Sequence, residues 1–326
     1  MDKWDEKQIV RGASFLQSSL WAQFQESIGN RALKLEGEDW TCLALVKKNR
    51  AGLYLFAPYG PVLNSPSALP DSIAGLKVEA ENLVADWIKI EPVIASGQLN
   101  DLVKSLKDST AVKADRDIEP GLTRIVDISP EPEDLLATVS QSTRSVIRKN
   151  YREKILTFKT STSPDDVKIF SKMLDSVADR RGIGFFPEKY FLDQAKLLMP
   201  AGMLYLELAY DGKKPVAGAL MHDYGHVTSY TFAAALPEAQ RKSPAAVLLW
   251  QAILNAKTRG IKTIDLYGSA PDDAPPSHPW YGLSANKRKF GGQLVKTAGT
   301  WDIPVTNVYR LYRWGQKAQK IKRKLK

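Results

Sequence analysis

An α+β fold of two similar units is predicted by three features of the sequence. Apolar runs of strand length follow one another through turns of a few residues. Helical apolar spacing flanks those runs. The same coarse order of helix, hairpin, helix and strand occurs in each half, without a residue-level repeat. A chain of 326 residues has room for about two domains, and 44% hydrophobic content suffices for a core in each, which excludes disorder as the main state.

Phe15, Trp21, Phe24 and Ile28 recur at near-helical intervals behind Ser18 and Ser19, so a short amphipathic helix capped by one of these serines is expected over about 19–28. Apolar runs at 42–46 and 52–57, separated by polar residues 47–51, form a hairpin ending in APYGPV. Pro58, Gly60 and Pro61 stop pairing there, which predicts exposed backbone at Tyr59 and Gly60. Leu69, Ile73, Leu76 and Val84 mark a helix within 66–84, and DWIKIEP is a strand closed by Pro92. In the second half, ISPEPEDLLATV is a linker running into a helix. Residues 165–181 and 187–199 have helical spacing, with Pro187 suited to a first turn. Strands at 203–210, 215–222 and 227–234 are joined by DGKK and YGH, short enough to force antiparallel neighbours. A helix over 245–258, stopped by Gly260, and the strand TIDLYG complete the plan.

Composition narrows the chemistry. Cys42 is the sole cysteine, so an internal disulfide is excluded, and with His222, His226 and His278 it cannot build a Cys-rich zinc site. Cys42 lies in the apolar run TCLALV and is expected in the core. No stretch reaches the length of a membrane span, and MDKWDEKQIV lacks the basic flank and apolar run of a secretory signal. A reducing, cytoplasmic setting is therefore expected. The net charge of +10 is concentrated at the end of the chain. From position 280 onward stand twelve of the 46 basic residues and one of the 36 acids, leaving 34 against 35 before it. Such a segment favours polyanions: RNA, phosphorylated substrates or an anionic membrane surface.

No GxxxxGK[ST], GxGxxG, HExxH or GxSxG occurs, so phosphate-loop, dinucleotide, zincin and serine-elbow chemistries lack support. A meander followed by a helix suits an acyltransferase that uses acetyl-CoA. At the helix start, however, residues 240–246 (QRKSPAA) contain no glycine for a close pyrophosphate cradle. Three constellations remain. In STRSVIRKNYREK, Arg144 and Arg148 stand one helical turn apart, extended by Lys149 and Arg152, and such a face can bind a diphosphate. In PWYGLSANKRKFGG, Trp280 and Tyr281 precede Lys287, Arg288 and Lys289 and a flexible Gly291-Gly292 turn. That set suits stacking of a base or sugar with charge neutralisation, or the two aromatics belong to the core. Third, Glu91 puts a carboxylate at the exit of the strand WIKIEP, within reach of a cleft.

Taken together, FLQSSLWAQF, YLFAPYGPV, WIKIEP, STRSVIRK, LYLELAYDGKKPVAGAL, SYTFAAA, VLLWQAI with DLYG, and WYGLSANKRKFGG resemble, in order, the FemABX family. Members are aminoacyl-tRNA-dependent peptidyltransferases that build the interpeptide bridge of peptidoglycan. The resemblance implies two acetyltransferase-like (GNAT-type) domains with mixed sheets. The first, residues 1–128, is completed by 300–326, and the second spans 129–299. It implies a monomer without cofactor or metal, with aminoacyl-tRNA as co-substrate and lipid II or UDP-MurNAc-pentapeptide as acceptor, and with peripheral contact to an anionic membrane surface. By the same resemblance, Lys287 stabilises the oxyanion and Glu91 orients or deprotonates the acceptor amine. Tyr230, Arg144, Arg148 and Lys149 surround the nucleotide-sugar diphosphate, with Trp280, Tyr281 and Arg288 as further substrate contacts. Gln25 stands where a family member has a phosphate-binding lysine, and Asp86 where one has a substrate-contacting tyrosine. The helical insertion of some members has no counterpart, and the basic tail is expected to substitute for it. In that tail Val308, Leu311, Tyr312 and Gly315 are expected to pack on the first domain while 316–326 project. Two other classes stay open on the residues alone: a CoA- or carrier-dependent N-acyltransferase, and a non-catalytic basic RNA-binding protein.

Overall fold

The structure, a computed structural model, describes residues 2–94, 97–181 and 184–324, with side chains for all of these except 181 and 317–324. Its contacts divide the chain into two units, Met1–Gly121 with Thr297–Lys326, and Leu122–Lys296. Helices and mixed sheets both contribute heavily to each, as an α+β fold requires.

In the first unit the sheet order is Val93–Ile94, Val62–Leu63, Trp40–Asn49, Gly52–Ala57, Trp87–Ile90, Trp301–Pro304 and Val112–Lys113, with Ala32–Glu36 also on Trp40–Asn49. The hairpin predicted from two apolar runs is present and longer, since its first strand continues through Lys47 and Lys48 to Asn49. The helix Ser19–Ser27 begins where Ser18, in extended backbone, accepts the Trp21 N–H at 3.0 Å. Leu69–Asn82 and the core of Trp40, Leu55, Ile73, Leu76, Ile88 and Ile90 lie on one side of this sheet. One expectation fails. Tyr59 and Gly60 are buried, because Glu91 N–H donates to the Gly60 carbonyl at 2.8 Å and its carboxylate takes the Tyr59 N–H. Prolines end the ladder, and a neighbouring strand end covers the freed backbone.

The strand Trp301–Pro304 enters this sheet from the end of the chain, antiparallel to Trp87–Ile90 and in register Asp302 to Lys89. These two side chains form a buried ion pair, and Tyr309 adds a hydroxyl donor to Asp302 at 3.1 Å. The helix Val308–Lys324 follows. Its packed face includes Tyr312 as expected, but Leu311 and Gly315 are exposed. Tyr309 is buried, and Tyr312 stacks on Trp87 with ring centroids 4.6 Å apart. Arg313 approaches Asp115 at 3.6 Å, and Gln316 donates to the Tyr312 hydroxyl at 2.6 Å. Leu311, counted on the inner side from sequence, is 72% exposed. The larger ring contacts of Tyr309 and Tyr312 set the rotation of the helix. The expected projection of 316–326 concerns side chains that, past Gln316, lie outside the described ones.

The second unit has the sheet order Gln293–Lys296, Leu122–Asp127, Thr263–Gly268, Val227–Ala235, Lys214–Tyr224, Leu204–Asp211 and Thr157–Ser161. The meander matches its sequence reading, and Pro187 caps Glu188–Leu198 from outside rather than occupying its first turn. The helix Pro244–Thr258 is apolar on most sides and is correspondingly deep, with Val247, Leu248, Leu249, Trp250, Ala252 and Ile253 in the core. Residues 122–127, expected in the first domain with 1–128, pair between Thr263–Gly268 and Gln293–Lys296 and so belong to the second unit, whose bounds are 122–296 rather than 129–299.

Candidate functional site

In the second unit, Val227–Ala235 and Thr263–Gly268 run parallel over three pairs, Val227–Thr263, Thr228–Ile264 and Ser229–Asp265, and the ladder ends there. Tyr267 takes a left-handed φ of 61°, after which the register against Leu122–Asp127 shifts. A cavity of about 370 Å³ is lined by Tyr230 and Ala233–Ala235 of the first of these strands. Its other walls are the start of Pro244–Thr258, Ser142, Thr143 and Val146 of the helix Gln141–Glu153, and Leu283, Lys287 and Phe290. Three cations line it, Arg180, Lys287 and Lys289, and no carboxylate does so among the described residues. With the N-terminal end of a fifteen-residue helix beside them, these groups make the cavity electropositive.

Lys287 is 5% exposed, and its Nζ donates to the Gly268 carbonyl at 2.5 Å. Burial drives its ammonium down to about 8, opposed by the charge of Asp265. Asp265 is pushed up to about 6 by burial, against the Tyr267 N–H, the Lys287 charge and the Thr123 hydroxyl. The lysine is held by its helix Tyr281–Arg288, which closes on Gly291 and Gly292 at φ 73° and 75°. A Cβ on Gly292 would lie 2.3 Å from the Ile125 carbonyl, so the FGG turn requires glycine there. Arg124 ties that turn down, donating to the carbonyls of Gly291 and Gly292 at 3.3 and 3.1 Å and pairing with Asp272.

The remaining residues singled out from sequence distribute themselves unevenly. Tyr230 is buried and lines the cavity, its hydroxyl pushed well above the usual phenol range by burial. Arg144, Arg148 and Lys149 share a helix as expected but do not line the cavity. Arg144 donates to the Ala137 carbonyl at 2.7 Å, Arg148 is exposed and Lys149 faces Glu153 at 3.9 Å. The same helix presents Ser142, Thr143 and Val146 to the cavity instead, with Thr143 buried, Val146 half-buried and Ser142 at the exposed rim. Trp280 is 41% exposed at the start of Tyr281–Arg288, and Arg288 lies over the Tyr281 ring at 5.7 Å while reaching Asp272. Arg180 and Asp265 carry no local sequence signal. The first belongs to an ordinary amphipathic helix, Val167–Arg181, and the second to a strand read only for its apolar residues.

Glu91, in the first unit, is 2% exposed. One carboxylate oxygen accepts from the Thr300 hydroxyl at 2.5 Å and the N–H groups of Ile118 and Glu119 at 3.1 and 2.9 Å, and the other from Tyr59 N–H at 3.4 Å. Burial nonetheless raises its carboxyl above the usual range. The expectation of a carboxylate facing a cleft is corrected here, since the group is enclosed and fastens three segments of its own unit. Gln25 is buried and accepts from Lys47 Nζ at 3.2 Å, so a cation stands next to the position that lacks the family's lysine. Asp86 accepts from Leu53 N–H and the Thr306 hydroxyl at 3.1 and 2.8 Å, a role in holding strands. Cys42 is buried and its thiol pushed far up, and His222 is pushed down to about 3 by burial. Among the described residues no cluster of three His, Cys, Asp or Glu is suited to a metal.

Residues 137–274 match the Acetyltransferase (GNAT) domain family. A crystal structure of FemX superposes with a TM-score of 0.81 at 18% identity, covering 96% of this chain and 98% of that one. This chain has the FemX fold. The likeness of fold covers nearly the full length of both chains, as the order of the eight short segments led one to expect. Weaker likenesses are L-PGS from Bacillus licheniformis, TM-score 0.56 at 14% identity over 93% and 91% of the two chains, and a tandem GNAT protein of the clavulanic acid biosynthesis pathway. The latter has a TM-score of 0.53 at 11% identity over 82% and 79%. No curated protein matches the chain. On the FemX-like scaffold the parted strands, the cavity and Lys287 all fall within or beside the segment that matches the acetyltransferase domain.

Proposed function

We propose that the protein transfers an aminoacyl group from aminoacyl-tRNA to the stem-peptide amine of a peptidoglycan precursor, lipid II or UDP-MurNAc-pentapeptide. The observation that carries this reading is Lys287, a buried ammonium at the wall of an electropositive cavity in a FemX-like fold. An ester already activated on tRNA requires only that the amine be positioned and the developing charge be met. The amine attacks the ester carbonyl and the carbonyl oxygen becomes an oxyanion opposite the Lys287 ammonium. Collapse then expels the ribose hydroxyl, which leaves with the proton that the amine gives up. Arg180 and Lys289 supply charge for the diphosphate of the acceptor, and Tyr230 an apolar wall with a hydroxyl. Glu91 serves as a positioning residue for the Tyr59–Gly60 turn, since four donors already occupy its oxygens.

The competing reading is an acyl-CoA donor, favoured by the acetyltransferase-domain match. The turn ahead of Pro244–Thr258 argues against it, since Ser243 at φ 50° and Pro244 stand where a close phosphate cradle would need glycine and free N–H groups. Incubation with tRNA carrying a radiolabelled amino acid and either precursor, beside a parallel reaction with labelled acyl-CoA, separates the two. Label passing from tRNA to the precursor supports the proposal, and label passing only from acyl-CoA overturns it.

A further inference from the structure

The C-terminal helix Val308–Lys324 has two faces with different tasks. Tyr309, Tyr312, Arg313 and Gln316 hold it against its own unit through the contacts described above. On the other side Leu311 is 72% exposed and Trp314 77%, with Arg310 also exposed beside them. The sequence that follows, residues 317–324, holds five cations and no acid. Residues three and four apart in a helix form a single stripe. An apolar stripe bearing tryptophan and bordered by lysine and arginine is the pattern of a helix that lies in a bilayer interface, apolar side among the acyl chains and cations at the headgroups.

Charge alone does not choose between RNA and lipid. Leu311 does, because RNA can stack Trp314 on a base but has no apolar layer for a leucine beside it, whereas an anionic bilayer takes both side chains and the cations. We infer that this helix seats the protein on an anionic membrane surface by inserting Leu311 and Trp314 into the interface. This goes beyond the proposed transfer reaction and does not rest on it.

Flotation of the full chain with vesicles tests the inference without reference to activity. With about 30 mol% phosphatidylglycerol in phosphatidylcholine, the protein is expected to float, and with phosphatidylcholine alone to remain at the bottom. Leu311→Ser with Trp314→Ser should reduce partitioning about tenfold or more at low salt with the charge unchanged, as expected for a lost apolar contact. Both side chains are exposed, so the melting temperature of that variant should equal the wild type's, and its tRNA affinity by fluorescence anisotropy should be retained. Failure of the wild type to float would overturn the inference. So would flotation of the double variant at wild-type level, or an equal loss of tRNA binding, which would make the helix an RNA contact.

Discussion

Lys287 keeps an ammonium where burial opposes it, and that opposition makes the residue informative to titrate. If it meets an oxyanion, Lys287→Met should lower transfer by about 100-fold or more while leaving precursor affinity nearly unchanged, since the charge acts mainly in the transition state. Rate constants at saturating substrate, with affinities measured separately, check this. The pH dependence has a definite sign. The group titrates near 8 in the folded protein against an ordinary 10.5, so the charged form predominates below about 8 and is lost above it. Transfer at saturation should therefore decline as pH rises through about 8, and a rise there would instead make the neutral amine a proton acceptor. Stability runs the other way. Between 8 and 10.5 the unfolded chain holds the proton that the folded one has released, so this lysine's contribution to stability increases with pH in that window.

At the scale of elements, the central pairing of Trp87–Ile90 with Trp301–Pro304 carries the buried Lys89–Asp302 pair. Removing one partner leaves an uncompensated buried charge, and Lys89→Met should cost about 3–5 kcal/mol in chemical denaturation, with much of it recovered when Asp302→Leu is added. For the cavity, Arg180→Gln with Lys289→Gln should weaken a diphosphate-bearing ligand about 100-fold or more, each lost charged contact being worth roughly 1.5–3 kcal/mol. The triple replacement of Arg144, Arg148 and Lys149 by Gln, off the cavity wall, should change that affinity less. Isothermal titration of both variants gives the comparison. Sequence pattern revealed the elements with long apolar runs, including Lys214–Tyr224 and Pro244–Thr258. It could not reveal Trp301–Pro304, whose four residues include an aspartate and a proline and whose partner lies about two hundred positions away. Ala32–Glu36 escaped although Leu33 and Leu35 alternate with Lys34 and Glu36, because two apolar residues in a five-residue edge strand are too short a run to stand out. Lys287 was legible because a motif surrounds it. Arg180 was not, because only the tertiary packing brings it to the cavity wall.

For the whole molecule, the second unit is one continuous stretch while the first is assembled from both ends of the chain. Residues 122–296 expressed alone should melt in a single cooperative transition, and a chain ending at Lys296 should retain that transition while losing the first unit's. Calorimetry of the three proteins distinguishes these outcomes, and two surviving transitions in the shortened chain would contradict them. The same arrangement has a consequence for how the protein is made. A ribosome that has delivered 296 residues has released everything the later unit needs but not the strand that sits between Trp87–Ile90 and Val112–Lys113. The earlier half therefore waits, with the edge of Trp87–Ile90 open, while the later half closes first. Order of maturation is the reverse of order of synthesis. The interval before residues 297–326 arrive is one in which the open strand edge of the nascent chain needs protection from its neighbours.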